Sequence, residues 1–392
     1  MASRQRSRVG GQFVAGTTTV SLGRVGEVSS GCFTISTHNG KRPMALQSIR
    51  PTDRRSRTRV LFVVYEKSWL GNDTIFSELG KCFPTRALSV RNRSPTATLH
   101  VPGKALLTFE EFRNLLRLVF AKDLYTGNWI LVASAGHYST LFFGRLLKLL
   151  RRDQKIYLYN FYLHAFGERR FVRSILRFLL NQDVRIMAQS LDELEYFREL
   201  SESSDIRYTP YLQGPLDVDA GPQLGTYVFA GGHTNRDFNS LLRCAESSPD
   251  LEFVIVASSR SKITEPTPPN ATLLFDLEQA EFYRLMAHSR LVVVPLLENV
   301  GSSGQMVTLA AMQFGKALVV PDFGVVQQYV EANITGFVYA HGDEHSLCET
   351  IRAACGDEDR LRVVGLAAQR RYKERFTRRR FDQAVVSHIL DG

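Results

Sequence analysis

The sequence predicts an α/β protein built from two doubly wound halves, with a helical C-terminal tail. Short, continuous apolar runs recur along the chain, among them VLFVVYE (60–66) and LEFVIVAS (251–258). Strands buried on both faces of a parallel sheet read this way. Segments with helical periodicity alternate with these runs, an order that argues for βαβ units. The rhythm breaks once, at DIRYTPYLQGPLDVDAGPQLG (205–225), and then restarts. That Pro-, Gly- and Asp-rich stretch is expected to link the two halves.

Element by element, the first half opens with VLFVVYE and a second strand, TRALSV (85–90). TFEEFRNLLRLVF (108–120) is a helix with Thr108 as N-cap and Glu110 and Glu111 in its first turn. WILVAS (129–134) is a strand, TLFFGRLLKLLRR (140–152) a helix and KIYLYNFYL (155–163) a strand. RRFVRSILRFLL (169–180) is a helix, VRIMAQS (184–190) a strand and LDELEYFREL (191–200) a helix. In the second half TYVFAGG, LEFVIVAS, TLLFD, RLVVVPL and KALVV are strands. RDFNSLLRCAES, EQAEFYRLMAHS and GSSGQMVTLAAMQF (301–314) are helices, and the chain from Glu344 onward is helical. The expected divisions are a basic disordered extension (1–58), a first domain (59–212), a second (213–372) and a C-terminal helix (373–392) that packs back on the first.

At 392 residues the chain exceeds one ordinary core. Its 44% hydrophobic and 22% charged composition is that of a globular protein. The net charge of +10 is concentrated at the start: residues 1–59 hold eleven Lys and Arg against only Glu27 and Asp53. The remainder is nearly neutral, so no specific nucleic-acid partner is expected. Five cysteines without a CxxC argue against a disulfide scaffold or zinc site and fit a reducing, cytoplasmic compartment. No apolar stretch is long enough to span a membrane, and the start lacks a signal-peptide core. The Arg- and Ser-rich start would also suit a transit peptide, or an overlong start with Met44 nearer the true beginning.

Ligands of open parallel sheets bind outside the carboxyl ends of the strands. Two loops there stand out. In FAGGHTNRDF (229–238), Gly231 and Gly232 let a ligand approach the backbone, and Arg236 supplies a donor fork suited to phosphate. The plainer reading is a turn with Asp237 starting a helix. In ENVGSSGQ (298–305), a helix beginning near Ser302, capped by Ser302 or Ser303 and given room by Gly301 and Gly304, would present free N–H groups to an anion. It is neither a P-loop nor GxGxxG. Glu298 is a carboxylate at a strand end, able to hold sugar hydroxyls or simply exposed. Arg260 and Lys262 are reserve phosphate ligands or solvated charges. His137 and His164 each follow a strand in the first half, where a base or an acceptor-positioning group would sit; a structural role is the alternative for each.

From Tyr227 to Tyr339 the sequence resembles the donor half of a GT-B glycosyltransferase of family four. The resemblance is carried by YVFAGG…RD, EFYRLMAHSRLVVVPL, E…G…LAAMQFGKALVV and GVVQQYVEANITGFVY. FTRRRFDQAVVSHIL resembles the family's returning C-terminal helix, while the first half fits only in layout. The resemblance implies two Rossmann-like domains facing a central cleft. It also implies transfer of a sugar from a nucleotide diphosphate sugar to a hydroxyl, with retention, in polysaccharide or glycoconjugate biosynthesis. His164 sits where relatives place a histidine, and Gly71 in YEKSWLGND resembles the family's glycine loop. The family carries two glutamates eight positions apart, but here Ser302 and Ala310 hold those positions, with Glu298 four residues early. Gln305 or Thr308 would then take over ribose contacts. The departure leaves donor identity open and allows an inactive relative.

The donor set then comprises Gly231, Gly232, Arg236, Ser302, Ser303, Gly304, Gln305 and Thr308, with His137, His164 and Glu298 as catalytic candidates. N–H groups and Arg236 would stabilise the leaving diphosphate, so no metal or cofactor beyond the nucleotide sugar is expected. The acceptor is a glycan or a lipid-linked glycan. Arg145, Lys148 and Arg152 on one helix and Arg170, Arg173 and Arg177 on another suit an anionic membrane surface, or ordinary solvated faces. Competing readings are a nucleotide-sugar epimerase on the same scaffold and a noncatalytic sugar- or nucleic-acid-binding protein.

Overall fold

This computed structural model describes residues 58–65, 75, 79–90, 109–120, 128–134, 138–150, 155–159, 170–180, 184–201, 205–212, 214–218, 224–298 and 303–391. All fall within one compact unit that begins at Arg50. The expected extension (1–58) lies almost wholly outside the described residues.

Two six-stranded parallel sheets organise the chain. In the first, β1 (Thr58–Tyr65), β2 (Thr85–Val90), β3 (Asn128–Ser134), β4 (Lys155–Tyr159), β5 (Val184–Ala188) and β6 (Asp205–Tyr208) lie in the order β2-β1-β3-β4-β5-β6. Helices α1 (Phe109–Phe120), α2 (Tyr138–Leu149), α3 (Arg170–Leu179) and α4 (Leu191–Leu200) connect β2 through β6. Each of these crossovers steps the same way across the sheet, and right-handed connections therefore put all four helices on one face. The core agrees: Leu118, Phe143, Leu176 and Phe197, one from each helix, share a buried cluster with Ile156, Leu158 and Ile186. The alternate side chains Tyr157 and Met187 point into a second cluster, with Ile75, Leu79, Phe381, Val385 and Ile389.

In the second sheet β7 (Tyr227–Gly231), β8 (Glu252–Ala257), β9 (Ala271–Phe275), β10 (Leu291–Val293), β11 (Leu318–Pro321) and β12 (Phe337–Tyr339) lie in the order β12-β11-β10-β7-β8-β9. Helices α5 (Phe238–Glu246) and α8 (Glu344–Cys355) pack on one face, and α6 (Gln279–Ala287) and α7 (Gln305–Gln313) on the other. Alternation within the strands is clean: Val228 and Ala230 face one cluster, Phe229 the other. Strand order reverses between β7 and β10, the place where doubly wound sheets bind ligands.

Two expectations need correcting. The stretch read as a linker begins with a strand: Ile206 is buried, and β6 pairs with β5 from Arg185↔Asp205 to Ala188↔Tyr208. Four residues among turn-formers are too few for periodicity to reveal. The tail expected as one helix over 373–392 is split, with α9 (Glu358–Arg375) and α10 (Arg378–Leu390) separated at Phe376 and Thr377. Thr377 is the N-cap of α10, whose Phe381, Val385 and Ile389 enter the first sheet's core. Among the described residues no helix is long and apolar enough to cross a membrane.

Candidate functional site

The loops after β7 and β10 meet at the strand-order reversal and are stitched together. Asp237 N–H donates to Pro295 O (3.2 Å) and Leu297 N–H to Asn235 O (3.4 Å), while Arg236 and Leu296 form an isolated antiparallel bridge. Asn235 adds a clasp. Its Nδ2 donates to Glu298 O at 2.6 Å, and its Oδ1 accepts from Glu298 N–H at 3.1 Å. Asn235 adopts φ 56, a left-handed conformation that asparagine tolerates better than most residues. Glu298 is thus fixed through its backbone while its side chain stays exposed.

Arg236 folds back over its own loop. Its Nε donates to Gly231 O (3.1 Å) and its Nη1 to Thr234 O (2.6 Å). Burial lowers its pKa to about 10, which leaves the guanidinium charged at neutral pH. The two glycines make room for neighbouring side chains. A Cβ at Gly231 would lie 2.5 Å from the Phe282 ring, and one at Gly232 2.7 Å from the Arg236 guanidinium.

The helix expected to start near Ser302 starts later. Gly304 is the N-cap, at φ 89, and α7 begins at Gln305. A left-handed residue cannot lie inside a right-handed helix, so the turn at Gly304 sets the boundary. Gly304, which has no side chain, holds the cap position expected for Ser302 or Ser303. The first N–H groups of α7 have no acceptor within the helix. Ser303 is half-buried; Gly301 and Ser302 lie outside the described residues, as do His137 and His164.

Gln305 and Thr308 are both buried, at 2% and 0% exposure, so neither side chain is open to solvent. Gln305 Nε2 donates to Gln189 O of the first half at 3.4 Å. The Thr308 hydroxyl is buried without a hydrogen-bond partner. Gln189 follows β5, so this contact joins the carboxyl ends of the two sheets. Arg260 and Lys262 are exposed.

Three residues at the site escaped the sequence reading. Asn235 is one. His341 is the second: its Nε2 lies 2.9 Å from Leu297 O, and its ring packs on Phe323 with centroids 4.2 Å apart. The third, Asp322, accepts the His341 backbone N–H at 2.9 Å. For His341 the signal available was HGD (341–343) directly after an apolar run, at a strand's carboxyl end.

Residues 234–357 match the family described as glycosyl transferases group 1. No curated protein matches the chain by sequence. Among solved structures, the chain is similar to a sucrose-phosphate synthase from Thermosynechococcus elongatus, with 12% identity, 86% of this chain and 99% of that one covered, and a TM-score of 0.62. It is similar to Anabaena HepE in complex with UDP and glucose, with 14% identity, 85% and 100% coverage and a TM-score of 0.57. An α,α-trehalose-phosphate synthase (UDP-forming) from Burkholderia vietnamiensis gives 11% identity, 85% and 100% coverage and a TM-score of 0.58.

Proposed function

We propose that the chain moves a sugar from a nucleoside diphosphate sugar, bound at the β7 and β10 loops, to a hydroxyl of a glycan or lipid-linked acceptor; the match of residues 234–357 to the group 1 glycosyl transferases and the fold shared with solved glycosyltransferases support this reading. The observation that carries this reading is the stitching of those two loops at the strand-order reversal, with a charged guanidinium and an exposed carboxylate held within it. HepE, which shares the fold, binds UDP and glucose, and uridine is the first base to test.

In this reading Arg236 and the free N–H groups at the start of α7 stabilise the leaving diphosphate as charge develops, without a metal. Glu298 holds sugar hydroxyls. The reaction retains anomeric configuration. His137 or His164 positions the acceptor hydroxyl. The compartment is the cytoplasm, at the inner face of the membrane when the acceptor is lipid-linked.

The test is nucleoside diphosphate release from UDP-, GDP- and ADP-glucose without acceptor and with chelator, following the anomer of the freed sugar. Release from one donor as the retained anomer, reduced by Arg236→Ala, supports the reading. Release that requires a divalent metal removes its metal-free part. No release from any donor counts against the reading.

A further inference from the structure

The first sheet carries an apolar row on the edge away from the candidate site. Its strands are parallel, so α1, α2 and α3 all start at the carboxyl-end edge and finish at the opposite one. The three helices lie on one face, in the order of the strands they precede. Their C-terminal ends therefore stand side by side along the edge where the strands begin. Those ends are apolar and exposed: Phe120 closes α1 at 75%, Leu149 and Leu150 close α2 at 68% and 52%, and Phe178 lies near the end of α3 at 53%. Arg145 Cζ lies 4.4 Å from the Phe178 ring centroid, which joins the α2 and α3 ends into one patch. Four large apolar side chains exposed in a row are not the scattered single exposures normal for a protein surface.

Charge indicates what covers the row. Neither α2 (YSTLFFGRLLKL) nor α3 (RFVRSILRFL) contains an acidic residue, and between them they carry Arg145, Lys148, Arg170, Arg173 and Arg177. Arg173 is engaged by Glu199 of α4 at 3.3 Å, whereas Arg177 is exposed beside Phe178. A second copy of this chain, seated by two-fold symmetry, would set these basic helices against their own copies. An anionic bilayer satisfies both features, since apolar tips enter the acyl boundary while guanidinium groups stay at the headgroups.

We propose that Phe120, Leu149, Leu150 and Phe178 dock the protein on an anionic lipid surface. Docking by this edge leaves the strand carboxyl ends, and the candidate donor site, uncovered. The inference goes beyond the reading above and does not rest on a lipid-linked acceptor, since this docking turns the candidate donor site away from the bilayer. Docking itself requires no donor.

The experiment is flotation of the full chain with vesicles of phosphatidylcholine alone or containing phosphatidylglycerol, without nucleotide, at low and high salt. The expected result is binding to the anionic vesicles only, weakened by salt. The triple variant F120D/L149D/F178D is expected to bind at least about tenfold more weakly, since a single buried apolar side chain is already worth a factor of that order. Arg177→Glu, which leaves the apolar row intact, is expected to weaken binding in the same direction. Circular dichroism confirms that both variants are folded. Equal binding of wild type and triple variant assigns the contact to another basic segment and overturns the proposal. So does absence of binding, or concentration-dependent self-association that the triple variant abolishes. Donor hydrolysis by the same preparations reads the catalytic proposal separately.

Discussion

Asn235 and Glu298, one on each of the two loops at the strand-order reversal, hold each other by a paired contact in which a single amide side chain satisfies both backbone groups of the other residue. Glycine tolerates the same positive φ, so Asn235→Gly removes the clasp without adding strain. Two hydrogen bonds at about 1 kcal/mol each predict a loss of about 1–2 kcal/mol in urea unfolding. Nucleotide affinity is expected to fall with it, because the loop carrying Glu298 loses its anchor. An unchanged affinity would separate the clasp from the donor site.

Gly304 is a second determinant of that loop. A Cβ there would lie 2.8 Å from Val326 Cγ1 and 3.1 Å from Val294 Cγ1, at φ 89. Overpacking and left-handed strain together predict that Gly304→Ala costs about 2–4 kcal/mol. Gly342, at φ 75 with open space for 4 Å around the position of a Cβ, isolates the strain. Gly342→Ala is expected to cost about 1 kcal/mol. Equal losses in the two variants would show that Val326 and Val294 yield freely.

The C-terminal helix predicts a pH dependence. His388, 2% exposed on α10, places Nε2 3.1 Å from Asp205 Oδ2, with Arg185, Arg207, Asp391 and the Tyr157 ring around the pair. Burial holds the imidazole below its usual 6.5, and Arg207 adds to this against the pull of Asp205. The unfolded chain then takes up a proton near pH 6.5 that the folded chain does not, so stability falls as pH drops below that value. Burial alone would raise Asp205, but hydrogen bonds from His388 and Arg207 outweigh it and hold the carboxyl below 3.8. Its contribution is present above 3.8 and is lost as pH falls through the lower folded value. Melting temperatures between pH 7.5 and 5 are expected to fall more steeply for the wild type than for His388→Gln. Parallel curves would contradict this.

Much of the fold was legible because apolar pattern and capping chemistry agreed. LDELEYFREL was read at the bounds it has, and the reason is local. Ser190 Oγ accepts from Glu193 N–H at 3.1 Å, and Glu193 Oε2 accepts from Gln189 N–H at 3.0 Å, so the start of the helix is written in the sequence. The start of α7 was misread because a Ser-Ser-Gly string looks like a cap, whereas the side chains that leave no room for a Cβ at Gly304, those of Val294 and Val326, lie ten residues before it and twenty-two after it. Asn235 and His341 were missed for a similar reason: each acts on the 297–298 backbone across a long sequence separation.

The most direct test of the central claim, a donor site at the β7 and β10 loops, is the shift in melting temperature with UDP, GDP and ADP, for wild type and Arg236→Ala. A nucleotide at 100 times its Kd adds about 2.7 kcal/mol to native stability. The account predicts a concentration-dependent rise with one nucleotide, largely lost in the variant although the variant remains folded. No rise with any of the three, or an equal rise in both proteins, would contradict it.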